Sequence, residues 1–593
     1  MTPQNRVLGV ALAAALLLST GITGWEAVDL HKLDQVLRQA VEQGSGTLSV
    51  IIRVGPGERA AVRRALEARG VRVETELALI NALNVEVEVG HLKTIAQNPA
   101  VQSVAINAAV KGSVAGNSKN NNPTTSNVLR ATLGLTDKSP TGAGVTVGLI
   151  DSGLSLNSDF DGRLEAFYDE IKSSNGSATD EYGHGTHVAG LVGSDGDLSS
   201  GEFKGVAPGA RFVVMRVLDY FGSGRTSDVI KQIQAVVYSR SSDVINLSLG
   251  HPIYEPAATD PLVQAVEAAC RAGIVVVVAA GNFGINPDTA LPGYAGITSP
   301  GNAPCAITVG ASQTNGTIKR SDDTVGPYSS RGPSWYDAYA KPDVVAPGHA
   351  LVADAVSGGY LSKNYPELRY STKFMSLSGS SMATAVTTGV VALVLEASRA
   401  ANPEGPPLTP NAVKAILQHT AIRLRDAYGF EYDYLTQGAG GVNAAGAIAL
   451  ASAIDTSAPV GSSWLTTPVN PQTTIGGELL SWAENVVWGT NIVWGTAVYT
   501  NEPAWAQNIV WGTNIVWGTN IVWGTNIVWG TTYVWGDNIV WGTNLIGTTG
   551  TSAGKNVVWG TVGAADNTVW GKLYSDNVVW GTGIVWPTVM LPR

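Results

Sequence analysis

Short apolar runs bounded by Gly and Asp recur between residues 128 and 455. VTVGLI, RFVVMRVL, DVINLSL, IVVVVAAGN and AITVGA are continuous in hydrophobicity rather than alternating. A strand buried on both faces reads this way, because neither side of its pleat meets water. Stretches with helical spacing lie between several of these runs. Strands and helices in that succession predict an α/β fold, a parallel sheet with helices on both faces.

Residues 47–110 have a different rhythm. TLSVIIRV is a strand by its β-branched content, and ERAAVRRALEARG is a helix with Ala and Leu on one side and Arg and Glu on the other. VRVETEL and LNVEVEV alternate apolar and polar positions, as half-buried antiparallel strands do. HLKTIAQNP reads as a second helix and VQSVAIN as a last strand. The β-α-β-β-α-β order predicts a small α+β ferredoxin-like unit. Residues 25–46 form a short amphipathic lead-in, and KGSVAGNSKNNNPTTSN (111–127) is a polar, Gly/Asn-rich linker.

Behind the α/β segment lies a Ser/Thr/Pro-rich linker, residues 456–484. From 485 to 593 the pattern N-[IV]-V-W-G-T recurs every six residues, and V-W-G occurs eleven times. On a helix a six-residue step rotates by about 240°, so no single face collects the tryptophans. Six is even, so in strands the Ile and Trp of every copy share a face. Val, Ile, Trp and Thr with Asn and Gly at corners also favour β structure, either a β-solenoid or stacked short hairpins.

The first residues belong to none of these units. Arg6 precedes VLGVALAAALLL, an apolar run short for a membrane span and followed by small residues. It reads as a secretory signal peptide over 1–24. The chain has 593 residues with 44% hydrophobic and 14% charged, too long for one core and too apolar to be disordered in bulk. A net charge of −10 without a basic run argues against a nucleic-acid partner. Cys270 and Cys305 are the two cysteines; the sequence leaves open a disulfide or two core thiols.

Three residues stand at structural junctions of the α/β segment. Asp151 closes the run VTVGLI, at the strand end where such sheets keep their ligands. His184 lies between glycines in E-Y-G-H-G-T-H-V-A-G. The H-x-x-H spacing of His184 and His187 lacks the Glu and the i,i+4 geometry of a zinc protease helix, so no metal site is assigned. Ser381, in S-L-S-G-S-S-M-A-T-A, precedes a long helical pattern, where Ser378, Ser380 or Ser381 could also serve as an N-cap. Asp, His and Ser in that chain order match one known arrangement of a nucleophilic triad.

The segment resembles the subtilisin-like (subtilase) serine peptidases well beyond those three residues. G-L-I-D-S-G, H-G-T-H-V-A-G and G-S-S-M-A-T resemble the family's Asp, His and Ser motifs. G-V-A-P-G-A (205–210), I-N-L-S-L-G (245–250), V-V-A-A-G-N (277–282), Y-S-S-R-G-P (328–333) and K-P-D-V-V-A-P-G (341–348) are similar to further family segments. The likeness spans roughly 130–450.

The resemblance implies a serine endopeptidase with a subtilisin-like fold and no cofactor. Ser381 would attack the scissile carbonyl, His184 carry its proton, and Asp151 hold the imidazole. Asn282 would serve the oxyanion hole with the Ser381 backbone N–H. Gly222, Ser223 and Gly224 on one side and Ser248, Leu249 and Gly250 on the other would pair with an extended substrate. Gly250, Ala280 and Gly281 would line the pocket for the residue before the cut, with Thr298-Ser299-Pro300 at its base. No acidic residue stands in those segments, so the expected preference is for apolar or medium-sized side chains.

Two positions depart from the family pattern. Ala385 stands where relatives usually carry Pro, and GSDGDLSSGEFKG after His184 does not match the usual calcium-loop length. Asp195 and Asp197 are therefore read as solvated and calcium is not assigned. Residues 25–115 resemble an inhibitory propeptide, followed by a catalytic domain over 116–455, with processing expected in the linker 111–127. The expected partners are protein or peptide substrates, the chain's own propeptide and, through the Trp-rich repeats, a surface or another copy. The expected location is secreted or at the cell surface.

Overall fold

The residues of one strand serve two different cores. In the computed structural model, Val147 and Leu149 of Thr146–Asp151 point to one side of a large sheet and Ile150 to the other. Phe212 and Val214 against Val213 and Met215, and Val275 and Val277 against Val276 and Val278, divide in the same way. The period of two in the pleat sends successive apolar side chains to opposite faces, which is why these runs are continuous.

The structure describes residues 30–112, 114–115, 126–172, 176–286, 290–458 and 465–483, and the backbone of seven short strands between 516 and 580. The signal-peptide reading, most of the linker 111–127, part of 456–484 and most of the repeat region fall outside the described residues.

In chain order the strands are β1 (Thr47–Val54), β2 (Val73–Leu77), β3 (Ala82–Glu88), β4 (Val101–Ile106), β5 (Ala109–Lys111), β6 (Thr146–Asp151) and β7 (Leu164–Asp169). They continue with β8 (Arg211–Arg216), β9 (Ser223–Arg225), β10 (Val244–Leu247), β11 (Val275–Ala279), β12 (Ile307–Gln313), β13 (Thr324–Val325) and β14 (Val344–Pro347). The large sheet runs β13-β12-β11-β10-β6-β8-β7, with β14 also on β12; every pair is parallel except β12 with β13. After β6 the chain builds outward to β8 and β7, then returns to place β10 on the other side of β6. The order reverses there, and the crevice outside the carboxyl ends of the strands opens at that point.

The helices His184–Gly193 and Ser380–Ala401 cover one face, and Thr226–Ser239 and Pro261–Arg271 the other. Ser380–Ala401 is apolar and long enough to cross a membrane, but 94% of its apolar window is buried inside the protein. Cys270, at the end of Pro261–Arg271, forms a disulfide with Cys305 ahead of β12, with Cα atoms 6.4 Å apart. The alternative of two free core thiols is thereby excluded.

Residues 47–106 form a four-stranded antiparallel sheet in the order β2-β3-β1-β4. Val50, Ile52 and Val54 face its own helices through Leu37, Val62, Leu66, Leu92 and Ile95. Ile51, Leu77 and Ala82 face outward and join the second core of the large domain, against Thr226–Ser239 and Pro261–Arg271. The lead-in carries a helix, Gln35–Gln43, capped by the Asp34 carboxylate accepting from the Leu37 N–H at 2.7 Å. Among the described repeat strands pairing is parallel: Val516 faces Val528, Val522 faces Val534 and Val528 faces Val540, each two hexapeptides apart, while Val540 faces Val558 and Val558 faces Val579 over longer steps.

Candidate active site

Asp151, Ser248 and Asn282 follow or close β6, β10 and β11, which are neighbours in the sheet. Three adjacent strand ends thus deliver their residues to one crevice. Arg216 ends β8 opposite Asp151. Its buried guanidinium lies 3.2 Å from Asp169 and 2.9 Å from Glu181, tying the loop before His184 to the sheet.

His184 opens its helix, whose start is held by Asp180. The Asp180 Oδ1 accepts the Gly183 N–H at 2.7 Å, while Oδ2 accepts the Thr186 N–H at 2.9 Å and the Thr186 hydroxyl at 2.7 Å. The first N–H groups of a helix lack intrahelical partners, and a buried carboxylate there both satisfies them and complements the dipole. The Ser152 hydroxyl accepts the Gly185 N–H at 2.8 Å. Side chains at Gly153 or Gly185 would run into Thr179 O and Gly153 O, so this helix approaches the Asp151 turn only because both are glycine.

The result is a fully buried pair. His184 Nδ1 lies 2.8 Å from Asp151 Oδ1 and 3.0 Å from Oδ2, and neither side chain has exposed surface. An ionised carboxylate only accepts, so Nδ1 carries the proton and Nε2 the lone pair. Among the described residues Nε2, also buried, has no hydrogen-bond partner. Burial pulls the imidazole pKa down, but the charge and hydrogen bond of Asp151, with the charge of Asp180, outweigh it and hold His184 above 6.5. His187, one turn on, is a different group. Burial and the nearby His184 push it down to about 3, and its Nε2–H donates to the Leu351 and Met375 carbonyls at 3.1 and 3.2 Å.

Ser381 is the second residue of the helix Ser380–Ala401, at the positive end of its dipole. No serine caps this helix. Gly379 occupies the cap position, the Ser378 hydroxyl accepts from the Ala350 N–H, and the Ser380 hydroxyl accepts from the Gly281 N–H. Ser381 Oγ donates to Ser248 O at 3.0 Å. Asn282 Oδ1 accepts the Ser380 N–H at 2.9 Å, which leaves Nδ2 as the donor end of that amide. The helix runs through the buried Ala385 without a break.

The crevice between β9 and the end of β10 holds the chain's own residues. β5 pairs antiparallel with β9, Val110 facing Gly224 and Lys111 facing Ser223. The Lys111 N–H donates to Gly250 O at 3.0 Å, and the Gly250 N–H donates back to Lys111 O at 3.1 Å. The Gly112 N–H donates to Gly222 O at 3.2 Å. Gly222, Ser223, Gly224 and Gly250 therefore flank one inserted strand, in the geometry of β-strand addition. Lys111, read from sequence as linker, belongs to that strand because two edges satisfy its backbone.

Leu249 turns its side chain into the second core and presents only backbone here. Ala280 is buried with Ile253 and Ile297. Thr298 stands between Gly250 and Gly281. Its Oγ1 lies 3.0 Å from the Cβ position at Gly250, and its Cγ2 lies 2.9 Å from that at Gly281.

Among the described residues no group of three or more His, Cys, Asp or Glu could hold a metal. Asp195 lies 3.8 Å from Arg163, and Asp197 is exposed. Asp180 escapes a reading of the sequence because Glu181-Tyr182-Gly183 separates it from the apolar helix; its spacing before Thr186 is the signal that could have found it. Tyr182 and Leu218, which border Gly112, carry no such signal.

A sequence profile of the Subtilase family matches residues 142–447. Serine protease AprX of Bacillus subtilis (strain 168) is 38% identical over 312 residues, which are 51% of this chain and 66% of AprX. The extracellular serine proteinase of Thermus sp. (strain Rt41A) is 33% identical over 66% of this chain and 84% of its own length. The match to AprX thus spans about two thirds of that relative. Among solved structures, fervidolysin from Fervidobacterium pennivorans shares the fold with a TM-score of 0.53 at 22% identity, over 68% of this chain and 61% of that one. This chain belongs to the subtilase family, and its α/β domain is that of a subtilisin-like serine endopeptidase.

Proposed function

We propose that the protein is a secreted serine endopeptidase, made as a zymogen, that cuts protein or peptide substrates with Asp151, His184 and Ser381. Ser381 Oγ attacks the scissile carbonyl while His184 Nε2 takes its proton. The imidazolium that forms is stabilised by Asp151, and its proton then passes to the leaving amine. Asn282 Nδ2 and the Ser381 N–H stabilise the developing oxyanion. Gly222, Ser223 and Gly224 with Ser248, Leu249 and Gly250 bind the substrate backbone, and Gly250, Ala280 and Gly281 line the pocket before the cut.

The observation that carries this reading is the inserted strand. Residues 109–112 use both edges of the crevice, with Gly112 against His184. A domain that leaves its own chain there blocks other peptides, which supports residues 25–115 as a propeptide and intramolecular inhibitor. The extracellular relative and the apolar N-terminal run support an extracytoplasmic location. The parallel pairing of the short C-terminal strands supports a coiled β-solenoid over hairpins, since parallel strands need a crossover. The Trp-rich repeats would serve surface attachment or self-association.

The test is a comparison of the native chain with Ser381→Ala. The native chain is expected to shorten at its N-terminus and take one fluorophosphonate label, while the variant stays full length and unlabelled. Labelling of both, or of neither after the N-terminal unit is removed, would refute the assignment.

A further inference from the structure

The edge that receives the inserted strand has little sheet of its own. β9 pairs with β5 in a sheet of two strands and stands apart from the large sheet. Its place depends on the turn that precedes it. Asp219 Oδ1 accepts the Phe221 N–H at 2.8 Å and the Ser223 N–H at 3.0 Å, and the Gly222 N–H donates to Asp219 O at 3.0 Å. Gly222 has a φ of 72°, and a side chain there would strike the Tyr182 ring. These bonds shape the turn itself; they do not tie it to another part of the domain.

Tyr360 supplies such a tie. Segment 355–373 joins the paired strands Leu351–Asp354 and Phe374–Leu377, and it meets both the turn and the loop before His184. The Tyr360 ring lies 5.2 Å from the Tyr220 ring at 87° and 5.7 Å from the Phe221 ring at 72°. It also lies 5.8 Å from the Tyr182 ring, which is itself 6.1 Å from that of His184. Near-perpendicular aromatic contacts are attractive, because a positive ring edge meets a negative face. The backbone is anchored separately. The Tyr360 N–H donates to Glu181 O at 2.9 Å and the Leu361 N–H to Tyr182 O at 3.1 Å, with the Leu361 side chain buried. Truncating Tyr360 therefore removes the ring contacts and keeps the anchor.

We propose that Tyr360 is a positioning residue, whose ring holds the β9 edge where an extended substrate pairs with it. The proposal rests on the serine-peptidase reading above. A substrate that lies as β5 does donates an N–H to Gly222 O and runs along Gly224. An edge already in place spares the ordering cost that a loose edge incurs on binding. Loss of the ring weakens binding of substrate and transition state alike, which raises KM and leaves kcat unchanged. A substrate too short to reach Gly222 is indifferent to the ring.

The experiment compares two substrates on the processed enzyme, with rates taken per fluorophosphonate-labelled site so that unfolded protein does not count. Succinyl-tetra-alanine p-nitroanilide reaches the β9 edge. N-acetyl-alanine p-nitrophenyl ester has the same residue at the cut, but its acetyl cap offers no N–H to Gly222. In Tyr360→Ala, KM for the tetrapeptide should rise about tenfold with kcat within about twofold, and kcat/KM for the ester should stay within about twofold. Tyr360→Phe keeps the ring and should match the native enzyme on both. Phe221→Ala, at a side chain 68% exposed, should raise the tetrapeptide KM without disturbing the core. The double variant should raise it by less than the product of the two, since both cut one contact. A loss shared by ester and tetrapeptide, an unchanged KM, or a Tyr360→Phe as impaired as Tyr360→Ala overturns this proposal alone. If Tyr360→Ala yields no labelled sites, an unchanged KM in Phe221→Ala overturns it. A native enzyme that takes no label overturns the reading beneath it.

Discussion

Ser248 and Ser381 hold each other by a reciprocal pair of hydrogen bonds. Ser381 Oγ donates to Ser248 O at 3.0 Å, and Ser248 Oγ donates to Ser381 O at 2.9 Å. The end of β10 and the start of the helix Ser380–Ala401 are therefore tied together. In Ser248→Ala the backbone acceptor remains, but the second bond is lost. A buried hydrogen bond contributes about 1 kcal/mol, so kcat should fall roughly fivefold with KM nearly unchanged. A change confined to KM in steady-state kinetics would show that the hydroxyl acts on substrate binding instead.

Asp151 fixes the tautomer of His184 as well as its charge. Asp151→Asn can donate to Nδ1 and so turn the lone pair away from the substrate side. A loss of about four orders of magnitude in kcat is expected. The pH profile is a second readout. The base form of His184 is needed, and its pKa lies above 6.5 in the intact protein. Activity should therefore rise with pH through a midpoint above 6.5, and the residual activity of Asp151→Asn should rise at a lower pH. An unshifted acid limb would mean that another group controls it.

Asn282 meets the helix start through Oδ1 and the oxyanion through Nδ2 in this reading. In Asn282→Ala the turnover should drop by about two to three orders of magnitude, the loss found for an oxyanion donor in subtilisin, with little change in KM. Fluorophosphonate labelling would slow in parallel. A variant that turns over normally would remove Asn282 from the mechanism.

The contact between the N-terminal unit and the large domain should weaken as pH rises. Gln35 N–H donates to Tyr254 O, Arg53 Nη1 to Ala258 O at 3.1 Å, and the Tyr336 hydroxyl to Gln35 Oε1 at 2.7 Å. Glu255 lies buried among them. Burial, then Asp260 and Asp34, raise it well above 4.5, against Thr259 and Arg53, which lower it. Burial likewise pushes Asp34 up to about 6, against the N–H groups of Ile106 and Leu37. The Asp34 charge reaches Glu255 across the contact and is one cause of its raised value, so Glu255 binds protons more readily docked than free. That contribution is complete below the ordinary carboxylate range and is lost as pH rises through the docked value. After processing, gel filtration should find the N-terminal unit retained at pH 5 and released near pH 8, and Glu255→Gln should retain it at both. Tighter retention at pH 8 than at pH 5 would reverse the sign and sink the account.

Much of the fold is legible because burial writes itself into local pattern. β6, β8 and β11 are unbroken apolar runs since the two cores each take alternate residues, as Val147 and Leu149 against Ile150 make plain. Asp151, His184 and Ser381 stand at strand ends and helix starts, and those boundaries are local too. Sequence by itself therefore determines the α/β architecture of the large domain and singles out Asp151, His184 and Ser381 as its candidate reactive side chains.

Tertiary structure decides what depends on residues far apart in the chain. Whether Cys270 meets Cys305 is a matter of where a helix end and a strand start come to rest. Thr298 stands against both Gly250 and Gly281, and no spacing along the chain reveals that closeness. Lys111 and Gly112 read as linker, polar and flexible, yet their backbone groups find partners on Gly250 and Gly222, more than a hundred residues away. An added strand is recognised through backbone hydrogen bonds, which every residue type but proline can make. Its register therefore becomes visible only when the two edges that receive it are in place.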